Sequence, residues 1–561
     1  MLQIKNFFTI LKNTSLFSGI TVLVLLSYPA LLLTIRGSMG ILFGIMLIAS
    51  LAYLFSIRNK KLAPHWDKTS IAFALAMASP VVAIFLSQAY HGDFKAPSYD
   101  WASRFLLAVP IYMALRQTNI RTITVLQYGF PIGALVGLVM LKLHPFDWGG
   151  RYTTAEFFNL IHFSDSALML GFLSLFSIHW ERKDHPVIIV FKLCGFAAGI
   201  YMSIQSGERG GWVAMPVLLL LWVIAHSKEK LWLKLGVATV LVATIAWLSY
   251  TKIDVMHTRI DSIFSDLTLY AQGNKDTSVG IRFQLYLAAI HLFTENPLFG
   301  VGPGGFPQAM SALTANGMVT PLGGILGTSE VHNEILHKCA ETGIFGLVSI
   351  LAIYLTPIFT LWKPLKASDT LTRMSAFISL CLILGFFIFG LTVEIFDLKM
   401  TATFFAFTLA TLMAATTHHT LHQKGKILES PTIQDAKPPK IKRIFHIVGI
   451  SVAPLIALVS LALAFTANNN NKISAEQITK ANSQIEALNK NLLATQSELK
   501  AHQAEVTQEK SIQEETQKKI DEKITTIVQA VSQLQAKRKI SPTLEEQFRQ
   551  PVSAVTPATV K

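Results

Sequence analysis

The sequence has few charged residues for its length. Only 15% of its 561 residues are Asp, Glu, Lys or Arg, whereas 51% are hydrophobic. Because a soluble globular domain carries about 25% charged residues, this composition excludes an ordinary soluble protein. Apolar runs of membrane-spanning length recur along the chain instead, and they predict an all-α, polytopic helical membrane protein.

Cysteines and cofactor motifs are also scarce. The three cysteines, Cys194, Cys339 and Cys381, lie far apart, so neither a disulfide framework nor a cysteine metal site is predicted. The sequence holds no P-loop, no His-Glu-x-x-His motif and no Asp-x-Asp pair of the kind that holds a metal and a nucleotide-sugar diphosphate. The first apolar run lacks a small-residue cleavage site, so no cleavable signal peptide is predicted.

The apolar runs predict about 12 core spans and one additional C-terminal span. The predicted spans are Leu16–Leu33, Met39–Ile57, Ile71–Ala89, Arg104–Leu115, Ile123–Leu141, Ser166–Ile178, Val187–Ile204, Trp212–Ala225, Leu231–Tyr250, Ile344–Leu361, Phe377–Val393, Thr401–Ala415 and Ile444–Ala467.

Lysine and arginine are distributed unequally between the predicted loops. With the N-terminus in the cytoplasm, the inner loops hold most of them, including a dense set from Lys424 to Arg443. This is the positive-inside pattern, and it predicts the orientation of the whole chain. The net charge of +14 therefore reflects topology. Because the charges are scattered over loops rather than gathered on one face, nucleic-acid binding is disfavoured.

The C-terminal part of the chain is predicted to form a separate module. After a polar break at Asn468–Asn471, mostly apolar residues recur at every seventh position from Ile478 to Leu534. The positions three residues further on are weak, so the pattern predicts a coiled coil with one good seam, and a partly frayed solvent helix is the alternative. The predicted domains are a membrane domain at 1–420 with a periplasmic catalytic loop at about 251–343, a basic cytoplasmic linker at 421–443, an additional transmembrane helix at 444–467, a periplasmic coiled coil at 472–540 and a disordered tail at 541–561.

Two arginines lie in the predicted outer loops beside apolar helices. Arg209 follows Glu208 in a turn of small residues, and Arg282 lies on a predicted helix with Tyr286 one turn further on. The structural alternatives are a topological anchor paired with Glu208 for Arg209, and a solvated surface position for Arg282. An outer anchor opposes the positive-inside pattern, and a guanidinium directs two donors onto phosphate oxygens. Both arginines are therefore predicted to bind an anionic lipid headgroup or diphosphate.

The same outer segment carries a histidine and a glycine-rich turn. His332 is the group whose usual pKa suits base chemistry at neutral pH, although a lone histidine is more often structural. Asn333 beside it can orient an acceptor or the imidazole. Gly302 and Gly304 lie in a run that looks like a phosphate loop, but no strand precedes it, so it is interpreted as a tight re-entrant turn after the helix end at Asn296-Pro297.

The predicted spans contain almost no ionisable residues. Lys192 is the main exception, and it is expected to extend towards the cytoplasmic surface. Ion-coupled pumps and transporters usually carry such groups within the membrane. A transporter is therefore disfavoured, and chemistry at the outer face fits the sequence better.

Several motifs in this order resemble the O-antigen ligase superfamily. They are Arg282 on its helix, Asn-Pro-Leu-x-Gly-x-Gly at 296–302, His332-Asn333 with Leu336, and Glu-x-Gly-x-x-Gly at 341–346. Arg209 in its small-residue turn is similar to that family's earlier arginine motif. The resemblance covers roughly residues 15–415. Glu208 and the additions after residue 420 depart from the family pattern.

The resemblance implies a multi-pass glycosyltransferase of the bacterial inner membrane, with its active site facing the periplasm and no metal, ATP or other cofactor. Its donor would be a glycan on undecaprenyl diphosphate. Arg209 and Arg282 would bind the diphosphate and stabilise it as leaving group, while His332 would engage the acceptor hydroxyl as a base. Asn333, Tyr286, Gly302 and Gly304 complete the predicted substrate-binding set.

The preferred prediction is an O-antigen ligase that acts on lipid A-core. An O-antigen or polysaccharide polymerase and a protein O-oligosaccharyltransferase use the same kind of donor and site, so both stay open. Outside the enzymes, a glycan exporter or flippase is the alternative. A further alternative is a docking protein that acts mainly through its coiled coil, either by self-association or by binding a partner.

Overall fold

A computed structural model describes residues 16–59, 66–227, 230–252, 254–423 and 514–533. The predicted linker at 421–443, except for its first residues, lies outside the described residues. So do the predicted span at 444–467, the tail at 541–561 and most of the predicted coiled coil. Statements about the fold refer to the described ranges.

The described chain is helical, with one short hairpin, which confirms the all-α membrane architecture. The helices are α1 (Leu16–Leu32), α2 (Ser38–Asn59), α3 (Lys68–His91), α4 (Tyr99–Leu115), α5 (Ile120–Thr124), α6 (Leu126–Leu143), α7 (Leu160–Phe176), α8 (Pro186–Ser206), α9 (Ala214–His226), α10 (Leu231–Lys252), α11 (Asp254–Ala271), α12 (Ser278–Glu295), α13 (Gly305–Ala315), α14 (Pro321–Gly327), α15 (Glu334–Leu361), α16 (Thr370–Gly390) and α17 (Lys399–Gln423). Strands β1 (Phe146–Asp147) and β2 (Tyr152–Thr153) pair antiparallel.

Each of the twelve predicted spans within residues 16–423 coincides with a helix. Seven helical segments of the described chain are long and apolar enough to cross a membrane, and three shorter apolar helices accompany them. A bilayer provides no partners for free backbone groups, so these apolar runs must satisfy their own hydrogen bonds as helices.

The membrane body is organised around α17, which is almost completely enclosed by its neighbours, among them α4 and α16. Aromatic rings fill the space between these helices. The ring centroids of Phe396 and Phe405 lie 5.0 Å apart, and those of Phe386 and Phe405 lie 4.9 Å apart. Such pairs favour one packing arrangement over others, because tilted and edge-on rings interlock. This core holds the helix ends from which the outer loops emerge.

Several ionisable groups are buried within the described membrane body, among them Lys192 and Asp165. Lys192 is fully buried on α8, where its Nζ lies 2.9 Å from both Asp184 Oδ2 and Gln127 Oε1. Lys192 therefore extends towards the loop between α7 and α8 but stays buried instead of reaching the surface, because the ion pair with Asp184 compensates the loss of water. Asp165 on α7 is also buried, and its carboxyl oxygens have no hydrogen-bond partner among the described residues.

The described helix at 514–533 belongs to the second compact unit of the chain, 471–561. Ile520, Ile524, Ile527 and Val531 are exposed on it. They follow one another at intervals of four, three and four residues, which is the spacing of a coiled-coil seam. Helix here agrees with the sequence prediction, and association through this seam stays a prediction.

Candidate functional site

Arg209 lies where α8 turns into α9. Helix α8 ends at Ser206, and Gly207 caps it with a left-handed φ of 63°. Arg209 Nη1 donates to the carbonyl of Arg259 at 2.8 Å and to the Ser262 hydroxyl, and its Nη2 lies 3.6 Å from Asp266 Oδ2. Arg209 is therefore held against α11, in the outer loop, rather than forming a local anchor.

Glu208, the neighbour of Arg209, is engaged elsewhere. Its carboxylate forms an ion pair with Arg151, which follows β1, and Arg151 Nε donates to the carbonyl of Ser206 at 2.9 Å. The alternative in which Glu208 neutralises Arg209 is thus not seen. Burial and the charges of Arg259 and Arg209 lower the pKa of Arg151 to about 10, so several arginines crowd one corner of the site.

Arg282 stands between Arg209 and His332. It lies in the second turn of α12, whose first turn is capped by the Thr277 hydroxyl accepting from the Gly280 N–H at 3.1 Å. Its charge lowers the pKa of both Arg209 and His332. Arg282 forms no hydrogen bond or ion pair with another described residue, so its donors are available to a ligand.

His332 is held in a conformation that few residues adopt. Its φ is 62°, in the left-handed region, which costs a residue with a side chain about 1–2 kcal/mol. The Tyr286 hydroxyl donates to the His332 carbonyl at 3.0 Å. Asn333 caps α15 by accepting from the Leu336 N–H at 3.0 Å, and its amide lies 3.3 Å from the Leu391 carbonyl. Tyr286 and Asn333 thus fix the backbone on either side of the imidazole.

The pKa values of His332 and Glu330 are shifted in opposite directions from their usual values. Burial and the charge of Arg282 lower the pKa of His332 to about 4, so the imidazole is neutral at pH 7. Burial and the carboxylate of Glu394 raise the pKa of Glu330 to about 7. Perturbed pairs of this kind are concentrated at functional sites.

The predicted re-entrant turn is present and packs directly on α15. Gly300, Gly302 and Gly304 have φ values of 66°, 89° and 78°. The amide of Gly302 donates to the Glu341 carbonyl at 3.0 Å, and the amide of Gly304 donates to Glu341 Oε1 at 2.8 Å. Both glycine amides are therefore already occupied by Glu341, Gly302 by its backbone carbonyl and Gly304 by its carboxylate.

A cavity of about 400 Å³ lies beside the turn, between α3, α4 and α15. Glu330, His337 and Glu394 are among its lining residues, together with Gly304. His337 Nδ1 lies 2.7 Å from Glu394 Oε2, and the other carboxylate oxygen of Glu394 accepts from the backbone amide of Val331. The buried His337 thus links α15 to the loop before α17, and that loop supports the segment that carries His332.

The structure brings Arg209, Arg282, Tyr286, His332 and Asn333 close to one another. Sequence reasoning missed Glu330 and Glu394. Glu330 lies only two residues before His332, a nearness that would have identified it as a candidate, whereas no local pattern indicates Glu394. Across the described residues, no group of three or more His, Cys, Asp or Glu side chains could hold a metal ion.

Comparison with known proteins identifies relatives of this segment. Residues 194–351 match the model of the family described as O-antigen ligase, a range that contains every predicted site residue. An uncharacterized protein of Haemophilus influenzae is 26% identical over 279 residues, which are 49% of this chain and 68% of that protein. The O-antigen ligase of Escherichia coli K12 is 24% identical over 200 residues, which are 35% of this chain and 46% of that protein. These matches confirm the resemblance on which the sequence analysis rests.

Proposed function

We propose that this protein is an O-antigen ligase, because residues 194–351 match the model of the family described as O-antigen ligase. In this proposal it transfers a glycan from undecaprenyl diphosphate to a hydroxyl of lipid A-core at the periplasmic face of the bacterial inner membrane. The observation that carries the proposal is Arg282, which makes no hydrogen bond or ion pair with a described residue and lies near enough to Arg209 and the strained His332 for its charge to act on both. These residues are 50 or more positions apart in the sequence, so the fold has brought them together.

The two arginines supply the anion site. The donor's diphosphate would bind Arg282, whose donors are free, and Arg209, which α11 holds in place through Ser262 and Asp266. A guanidinium stays charged at all relevant pH values and forms paired hydrogen bonds to phosphate oxygens. In a poorly solvated site such contacts stabilise a departing diphosphate by several kcal/mol.

His332 is the base. In one displacement, the acceptor oxygen forms its bond to the anomeric carbon while the bond to the diphosphate breaks. The diphosphate leaves with the electron pair, and the acceptor's proton goes to the imidazole. The configuration at the anomeric carbon is inverted.

Binding of the donor also prepares this base. The charge of Arg282 is one of the two causes that lower the pKa of His332. A bound diphosphate offsets that charge, so the pKa of His332 rises towards its usual value and the imidazole becomes a stronger base. Proton removal is thus favoured only when the leaving group is in place.

Deletion of the gene distinguishes a ligase from a polymerase. In a strain that lacks the gene, electrophoresis of lipopolysaccharide is expected to show unmodified core, with polymer accumulating on its lipid carrier. Core that carries a single repeat would instead identify a polymerase. Normal polymer on core would contradict both functions, and loss of glycans from secreted proteins alone would favour the protein oligosaccharyltransferase.

A further inference from the structure

A carboxylate lies beside the proposed base, whose buried Nδ1 makes no hydrogen bond to a described residue in this geometry. Glu330 Oε1 lies 3.1 Å from His332 Nδ1, and both side chains are largely buried, with exposed fractions of 23% and 18%. The Val331 amide between them donates to Glu394. The segment is therefore fixed at three consecutive residues, by the Glu394 contact at Val331 and by Tyr286 and Asn333 around His332.

We infer that Glu330 is the positioning residue of His332, accepting a hydrogen bond from Nδ1–H so that Nε2 presents its lone pair to the acceptor hydroxyl. This inference rests on the proposed function. A neutral imidazole carries one proton, and the group that binds one ring nitrogen decides which nitrogen holds it. An ionised Glu330 can only accept, so it places the proton on Nδ1.

A carboxylate at this place also stabilises the imidazolium that forms as the acceptor loses its proton. The charge of Arg282 opposes that imidazolium, because two positive groups then stand side by side. Glu330 offsets the repulsion from the opposite ring nitrogen. Glu330 acts through His332, and of these two residues only His332 contacts the acceptor hydroxyl.

Glu330 can orient His332 in this way only while its carboxyl group is ionised. Protonated Glu330 would donate to Nδ1, which moves the imidazole proton to Nε2 and removes the base. The groups whose charges act on Glu330 come from every neighbouring segment: Arg282 of α12, His337 of α15, and Glu394 and Asp397 of the loop before α17. Burial and the charges of Glu394 and Asp397 outweigh those of Arg282 and His337, so the pKa of Glu330 is raised to about 7. The orienting contact is therefore complete above pH 7 and lost as the pH falls through that value.

The test is the pH profile of glycan transfer by the purified full-length protein in detergent. For the wild type, kcat/KM for the donor is expected to fall about tenfold per pH unit below pH 7. In Glu330→Gln the limb near pH 7 should disappear, and kcat at pH 8 should fall by about 10- to 100-fold while KM for the donor changes less than about threefold. Glu330→Asp keeps a carboxylate and should keep an acid limb with a reduced kcat.

A matched control lies on the same loop region. His291 Nε2 is 3.3 Å from Glu295 Oε1 on α12, but Glu295 is mostly exposed. Glu295→Gln should leave kcat and the pH profile unchanged. An unaltered profile and rate in a well-folded Glu330→Gln protein would overturn the inference while leaving the proposed function intact. An active His332→Ala protein would overturn the proposed function itself.

Discussion

At the scale of single residues, the site consists of side chains whose partners differ from those that sequence neighbours suggest. Arg209 is adjacent to Glu208 in the chain but contacts Asp266 instead, because Glu208 is taken by Arg151. Arg282 has no partner among the described residues. A guanidinium beside that of Arg209, with no ion pair of its own, favours binding of an anion, which is the physical basis of the diphosphate assignment.

The geometry of the guanidinium at Arg282 is expected to matter as much as its charge. Arg282→Lys retains one positive charge but loses the paired donors, so kcat/KM for the donor should fall by about 10- to 100-fold, as for the loss of a charge-assisted hydrogen bond. Steady-state transfer kinetics measure this. Arg36→Lys, at an exposed position in another predicted outer loop, is the control and should behave as the wild type. Equal activity of Arg282→Lys would mean that charge alone binds the donor.

At the residue scale, the sequence indicates candidates only where residue chemistry is unusual, and the roles of these candidates stay predictions. Arg209, Arg282, His332 and Asn333 were selected because their types are unusual beside apolar helices. Glu394 was not, because its role comes from a contact with His337 that spans 57 positions. Periodicity and composition carry no information about such long-range contacts.

At the scale of elements, the glycine turn and the first turns of α15 form one packed unit. A Cβ at Gly300 would lie 2.4 Å from the Glu341 carbonyl carbon, and one at Gly343 would lie 2.4 Å from that of Leu298. Gly343 has a φ of 63° and breaks the helical geometry inside α15. The two glycine motifs thus form the two sides of one close backbone contact. This contact places Glu341 against the turn, on the helix α15 that begins next to His332.

Substitution of Gly300 tests this contact. Gly300→Ala combines a left-handed φ with a backbone clash, so we expect it to destabilise the protein by about 2 kcal/mol or more and to lower its thermal midpoint in detergent. Gly317→Ala shares the left-handed φ, 73°, but has open space around it, so its cost should be about 1 kcal/mol. If the two variants melt at the same temperature, the packed unit does not contribute to stability.

The elements themselves were largely predictable. Apolar runs fix helices because the bilayer leaves no alternative, so the spans, α12 and the turn at residues 300–304 were all expected. The kink at Gly343 and the burial of Lys192 were not. Both features depend on the neighbouring segments that pack against them. The sequence pattern of one segment does not show which segments those are.

At the scale of the whole molecule, charge separates two regions of the outer loops. The first region is a group of arginines whose charges act on one another: Arg151, Arg209, Arg259 and Arg282. The second region is the cavity beside the glycine turn, which is lined by more acidic than basic residues: Asp100, Glu330, Glu341, Glu394 and Asp397, with Lys338 and Lys399. An anionic diphosphate is attracted to the first region and repelled by the second. His332 lies at their border, where an acceptor hydroxyl has to meet the donor.

The central claim is that His332 performs the proton transfer at this border. The most direct measurement is single-turnover transfer of a glycan from purified undecaprenyl diphosphate donor to lipid A-core, with the His332→Ala and His291→Ala proteins compared at equal purity and donor occupancy. The account predicts that His332→Ala transfers at least about 10²-fold more slowly, while His291→Ala, which alters a histidine in the same loop region, matches the wild type. Transfer by His332→Ala at the wild-type rate would contradict the account.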